Sequence, residues 1–187
     1  MLKADIRRQF QQKRSELELR KFQAFNDKIR DLFFEFLPGS TNTIHIFLPI
    51  IPRREIDTWP IIYKLWERGK NTVAPCLDME TRTMTSWLLT PDTELRENRW
   101  NIPEPVNSTL VENNAIDMVV LPLLAFDRQG YRVGYGKGFY DRFLASFHHQ
   151  ALKIGISLFD PIDEISDRSY EDVPMDHCIT PGQVFTF

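Results

Sequence analysis

The residues best equipped for chemistry lie together in Asp117 to Leu144, DMVVLPLLAFDRQGYRVGYGKGFYDRFL. Gly130, Gly134, Gly136 and Gly138 place four glycines within nine positions, with Lys137 among them and Arg132 and Asp141 nearby. Glycine admits positive φ, and closely spaced glycines let several backbone N–H groups face one concavity, an arrangement that accepts phosphate oxygens. Phe139, Phe143 and Phe147 recur every four residues, so the spacing predicts a helix directly after Gly138, with its positive end at the loop. An anion site is expected, with Lys137 complementing phosphate charge. A carboxylate beside phosphates is repelled unless a cation separates them, and Mg²⁺ is commonly shared between one or two carboxylates and polyphosphate oxygens. Asp141 is therefore a candidate metal ligand. The alternatives are a glycine-rich structural turn and a first-turn acid that merely complements the helix dipole.

Two common phosphate motifs do not fit. A P-loop requires glycine where Tyr131 stands and Ser or Thr where Gly138 stands. The dinucleotide fingerprint requires a small residue at Phe139 and an acid near Ile154.

Such a loop needs a scaffold. At 187 residues the chain is expected to form one domain over positions 1–187, and 42% hydrophobic with 26% charged residues is a globular composition. Leu2, Ile6 and Phe10 share one stripe of a first helix, while Lys3, Arg7 and Arg14 fall on an adjacent basic stripe. Ser15 with Glu18 has the form of a capping box opening a second helix, whose apolar stripe runs Leu19, Phe22, Phe25, Ile29, Phe33 and Phe36 and ends near Pro38 and Gly39. Thr43 to Leu48 reads as a buried strand beginning a βαβ unit. Asp57 and Thr58 cap the next helix, Pro60 lies in its first turn, Gly69 closes it, and a strand follows around Thr72 to Cys76. Further strands are expected at Met84–Leu89, Met118–Leu121, Lys153–Ser157 and Val184–Phe187, with an irregular excursion from Pro91 to Asn114. His148 and His149 are expected to end a helix and are given no chemistry. The alternation predicts an α/β fold, a three-layer α/β/α sandwich that is Rossmann-like with a largely parallel central sheet.

Charge and cysteine content narrow the function. Residues 1–30 carry nine basic and four acidic side chains, about +5, which leaves about −8 on the rest and −3 overall. A nucleic-acid role for the basic helix is disfavoured, because the neighbouring phenylalanines follow the core stripe and the remaining chain is acidic. Cys76 and Cys178 stand about a hundred positions apart, giving neither a disulfide framework nor a zinc spacing, and are expected as small buried hydrophobes. No apolar run approaches ~18 residues, and a cytoplasmic protein without membrane partners is expected.

The loop GYRVGYGKGFYDRFL, preceded by LPLLAFD, resembles the signature of the 5-formyltetrahydrofolate cyclo-ligase family, also called 5,10-methenyltetrahydrofolate synthetases. The helix around Lys3 and Arg7, IFLPIIPRREIDT around Glu55, and RWNIPEP from Arg99 to Pro105 occur in the family's order, so the resemblance spans almost the whole chain. It implies ATP-dependent closure of 5-formyltetrahydrofolate to 5,10-methenyltetrahydrofolate with release of ADP and phosphate, by a monomer acting on small molecules with Mg²⁺. Residue by residue, it implies nucleotide contacts from Lys3, Arg7, Arg132, Gly134, Tyr135, Gly136, Lys137, Gly138, Phe139 and Tyr140, with Lys137 and Arg132 catalytic. Asp141 and Asp172 resemble magnesium ligands, although Glu171 and Asp176 stand close to the second. Ile50, Glu55 and Trp100 resemble folate-binding positions, joined by Tyr135 and Phe139; Phe139 stands where many relatives have Tyr. The competing reading from another class is a nucleotide- or folate-binding relative without turnover.

Overall fold

A computed structural model describes residues 1–98 and 101–187. In chain order the elements are α1 (Lys3–Glu16), α2 (Leu19–Phe36), β1 (Thr43–Ile46), α3 (Trp59–Glu67), β2 (Asn71–Asp78), β3 (Thr83–Leu89), β4 (Leu95–Glu97), β5 (Pro103–Pro105), β6 (Leu110–Val111), β7 (Met118–Pro122), β8 (Ala125–Phe126), β9 (Arg132–Val133), α4 (Phe139–Ala145), β10 (Leu152–Ile156), β11 (His177–Ile179) and β12 (Val184–Thr186). The fold is mixed α/β with a large, mostly parallel sheet, as the alternation of patterns predicts. The elements fall into two compact units, one of Met1–Leu37, Leu121–Gly138 and Lys153–Phe187, the other of Pro38–Val120 and Phe139–Leu152.

In the first unit, α1 lies against the antiparallel hairpin of β8 and β9. Ile6, Phe10, Leu124, Ala125, Val133 and Ile165 close an apolar cluster there. The buried stripe of α1 is Ile6, Phe10 and Arg14 rather than the expected Leu2, Ile6 and Phe10. Leu2 precedes the first helical turn and stays 52% exposed. The capping box also does not form. Ser15 donates its hydroxyl to the Gln12 carbonyl inside α1, and α2 starts after Glu18 without a side-chain cap. Its helix is held instead by burial of Ile29, Phe33 and Phe34, while Leu19 is exposed. Farther along the chain, β10 pairs parallel with β11, and β11 antiparallel with the terminal β12.

In the second unit, β1 lies between β2 and β7 and is parallel to both, with His45 opposite Val73 and Val119. Strands buried on both faces read as continuous apolar runs, which is why MVVLP and most of TIHI carry so little polarity. The helix α3 makes the β1–β2 crossover. Of its two expected caps only Asp57 accepts an amide, that of Trp59, at 3.1 Å; the Thr58 hydroxyl donates to the Phe47 carbonyl. The parallel arrangement gives way to antiparallel pairing from β2 to β3 and from β3 to β6. The expected irregular excursion contains a ladder, Leu95 to Pro105 and Glu97 to Pro103 in β4 and β5. Proline at both ends of so short a strand had obscured it. Only Phe139 and Phe143 of the phenylalanine series lie within α4; the helix ends at Ala145, so His148 and His149 follow it. His149 pairs instead with the Ile116 carbonyl at 2.8 Å. Cys178 is fully buried as expected, and Cys76 only partly.

His45 is the one ring nitrogen pair in the apolar run of β1. Its Nδ1 lies 2.9 Å from the Ser86 hydroxyl, its Nε2 has no hydrogen-bond partner among the described residues, and the Phe143 and Tyr140 rings stand 4.7 and 6.0 Å away. Burial pushes its pKa down from 6.5 to about 3. The unfolded chain therefore takes up a proton near pH 6.5 that the folded chain resists to about pH 3, and stability falls as pH drops through that window. His45→Leu should flatten the dependence of Tm on pH between 6.5 and 4, whatever it does to Tm at pH 7.5; parallel curves for the two proteins would show that His45 is not the group being protonated. A second test concerns packing. A methyl group on Gly155 would collide with Met175 Sδ and lie 2.8 Å from Leu123 Cδ2. Gly155→Ala should cost roughly 1–3 kcal/mol in denaturant unfolding, and a neutral result would mean that the methionine swings aside freely.

Candidate active site

In the first unit, α1 presents its basic residues to the glycine loop and to the 167–173 segment. Lys3 Nζ pairs with Asp172 Oδ2 at 2.5 Å, and the same oxygen accepts the Ser169 amide at 2.7 Å. The Lys3 amide donates to Asp167 Oδ1 at 2.7 Å, which fixes the start of the helix. Arg7 Nε donates to the Gly134 carbonyl at 2.8 Å. Arg132 Nη1 donates to the Val173 carbonyl at 2.6 Å. Lys3, Arg7, Arg132, Asp172 and the loop from Gly134 to Gly138 are thus parts of one compact unit, and Lys137 is exposed.

Glycine is required in this loop for two separate reasons. Gly136 and Gly138 have φ of +87° and +68°, where an L side chain is strained. A Cβ on Gly136 would also lie 2.9 Å from Arg7 Cζ, so the guanidinium uses the space that a side chain would fill. Tyr135, between two glycines, accepts a hydrogen bond on its hydroxyl from Arg14 Nη2 at 2.7 Å.

The loop is entered through a turn organised by Asp127, the last residue of LAFD. Its carboxylate is fully buried and accepts the amides of Gln129 and Tyr131 on Oδ1 and that of Ile165 on Oδ2, at 3.0, 3.1 and 3.2 Å. Arg168 Nη1 stands 3.8 Å away. A buried carboxylate is tolerated only when it is met by such donors. Asp127 is a positional device that sequence reasoning passed over, although an Asp three residues before Gly130 is a turn signal. Arg14 and His45 were passed over as well. A buried arginine looks like any other member of a basic stripe, and a histidine in a strand carries no spacing signal.

In the second unit, Ile50 and Glu55 are brought together. Glu55 is 6% exposed, and its Oε2 accepts the Ile50 amide at 2.8 Å. The short 3-10 turn Ile51–Arg53 ends at Arg54, whose left-handed backbone (φ 51°, ψ 43°) returns the chain toward Ile50. Glu55 is therefore a buried acceptor and not a solvated charge next to Arg53 and Arg54. Phe139 is buried under the Arg142 guanidinium, 5.5 Å from its ring centroid, and Tyr140 meets the edge of the His45 ring. Asp141 lies in the first turn of α4. Trp100 and Arg99 lie outside the described residues. Among the described residues no group of three or more His, Cys, Asp or Glu side chains is placed to hold a metal ion by itself.

The 5-formyltetrahydrofolate cyclo-ligase of Escherichia coli K12 is 32% identical over 148 residues, covering 77% of this chain and 80% of that protein. The mouse 5-formyltetrahydrofolate cyclo-ligase is 31% identical over 156 residues, covering 72% and 76%. The solution structure of the Aquifex aeolicus 5,10-methenyltetrahydrofolate synthetase superposes with a TM-score of 0.83 at 26% identity, over 100% of this chain and 93% of that one. The Mycoplasma pneumoniae synthetase superposes with a TM-score of 0.76 at 25% identity, over 97% and 99%. With residues 2–181 matching the family's pattern and the basic helix docked on the glycine loop, the chain belongs to the 5-formyltetrahydrofolate cyclo-ligase family.

Proposed function

We propose that this chain, as one domain over residues 1–187, converts 5-formyltetrahydrofolate and ATP to 5,10-methenyltetrahydrofolate, ADP and phosphate. A formamide carbon is a poor electrophile because nitrogen donates into it, and its oxygen leaves poorly. Transfer of the γ-phosphoryl group to the formyl oxygen answers both defects. N10 then attacks the carbon and gives up its proton, and the oxygen departs as part of phosphate. The chain's own work is positioning and charge stabilisation, as is usual in phosphoryl transfer. In this reading Lys3, Arg7 and Arg132 hold the polyphosphate, the Gly134–Gly138 amides cradle it, and Lys137 meets the charge developing on the transferred group.

The observation that carries the reading is the grip of Arg7 on the loop, through the Gly134 carbonyl and against Gly136, with Lys3 and Arg132 in the same unit. Lys3, Arg7 and Arg132 each bond a carbonyl or a carboxylate, groups that a polyphosphate can replace. Glu55 and Ile50, buried and joined, suit the polar edge of a pterin, and Trp100, Tyr135 and Phe139 complete the proposed folate-binding set.

Magnesium fits the donor chemistry. Asp141 and Asp172 offer hard oxygens, and a cation shared with polyphosphate needs no protein triad. Bound there, Mg²⁺ would neutralise phosphate charge. Asp172 would exchange its Lys3 partner for the ion, which frees that ammonium for the nucleotide. A cytoplasmic setting accords with two cysteines that both remain thiols.

Purified protein given Mg-ATP and 5-formyltetrahydrofolate should develop methenyl-folate absorbance and consume ATP. Bound ATP without either signal would instead make the chain a binding protein. Lys137→Ala should lower kcat by roughly 10²- to 10³-fold with little change in Tm, the scale for losing one charge-stabilising donor; matched losses of activity and Tm would make the lysine structural. Asp141→Asn should shift the magnesium titration to higher concentration, and an unchanged curve would remove Asp141 from the ligand set.

A further inference from the structure

We propose that Arg14 is a positioning residue for the nucleotide loop, acting through Tyr135, which serves as a strut between the loop and α1. Arginine is almost never buried without a partner, yet Arg14 is only 7% exposed. Its partner is not a carboxylate but the Tyr135 phenol, bonded at 2.7 Å, with the guanidinium 5.7 Å from the ring centroid. The Tyr135 ring packs in turn on the cluster of Ile6, Phe10 and Val133 that docks α1.

Three consecutive loop residues are thereby held by one helix. Arg7 takes the Gly134 carbonyl and lies against Gly136, while Arg14 takes the side chain between them. Arg7 and Arg14 are seven residues apart, two turns on one face, so a rigid element sets the spacing of both contacts. A glycine-rich segment has the most conformational freedom to lose when it closes on a ligand. Ordering it beforehand removes that cost from binding, and Tyr135 is the only residue from 134 to 138 with an apolar body able to anchor in the core. The contact is made by the hydroxyl and the ring, both committed to α1, so Tyr135 orders the loop without itself being required to touch the nucleotide.

This inference rests on the proposed nucleotide role of the loop, and its test separates the two. Tyr135→Phe keeps the ring packing and removes one hydrogen bond; Arg14→Met removes the guanidinium; Arg14→Lys restores the charge. In the ligand-free protein, amide exchange over 134–138 should quicken in Tyr135→Phe and Arg14→Met. KM for ATP should rise roughly fivefold in each, the scale of one net hydrogen bond. The double variant should be no worse than Arg14→Met alone, and Arg14→Lys should recover part of the loss. Unchanged loop exchange, an unchanged KM for ATP with only a lowered Tm, or fully additive effects would each overturn the proposal and leave Arg14 as packing. A wild-type protein without ATP dependence would overturn the nucleotide reading before any variant is compared.

Discussion

The first unit depends on the docking of α1 against the hairpin of β8 and β9. Ile6 and Phe10 enter the apolar cluster with Leu124, Ala125 and Val133, and this burial fixes both the depth and the rotation of the helix. Rotation matters because it decides where the basic stripe points. With Ile6 and Phe10 inward, Lys3 reaches Asp172, Arg7 reaches the Gly134 carbonyl and Arg14 reaches Tyr135. A loop with glycine at three of its five positions has little side chain with which to pack itself, so its shape is imposed from outside. Here the imposing element is a helix whose own position is set by hydrophobic contact, a non-directional force that requires only shape and area. The directional bonds come afterwards and choose one loop conformation among the many that glycine permits.

The entry to the loop follows the same logic with opposite chemistry. Asp127 buries a carboxylate, which would be costly alone, and three backbone amides with a nearby arginine offset the cost. A buried ion satisfied by backbone donors admits little slippage. The turn from Asp127 to Tyr131 is therefore a fixed point from which Arg132 and Gly134 are measured. In the second unit a comparable economy joins Ile50 to Glu55. A carboxylate accepts an amide five residues back, across a left-handed Arg54, and is held buried.

The basic residues nominated for polyphosphate are occupied by internal partners, and the choice of partners is informative. Backbone carbonyls and one aspartate are weaker attractors of cations than a polyphosphate with magnesium. The arrangement holds the side chains in place without sealing them. Membership in the cyclo-ligase family supplies the reaction class, and the docking of the basic helix on the glycine loop supplies a physical reason for these residues to be where they are.

Local pattern alone determined a good deal. The mixed α/β class, the βαβ crossover, the end of α2, the buried strands and the glycine loop with its flanking cations all follow from periodicity, glycine spacing and charge, because each reports on neighbours within a turn or two of the chain. Tertiary structure decided what depends on distant partners. The failed Ser15 cap, the exposed Leu2, the short α4 and the β4–β5 ladder each turned on packing or pairing that no local window contains. The same is true of Arg14, Asp127 and His45, whose roles arise only when Tyr135, Ile165 and Ser86 arrive from 121, 38 and 41 positions away. A side chain's type announces what it can bond, but burial and the approach of a remote group decide what it does bond, since only a folded interior removes water as the competing partner.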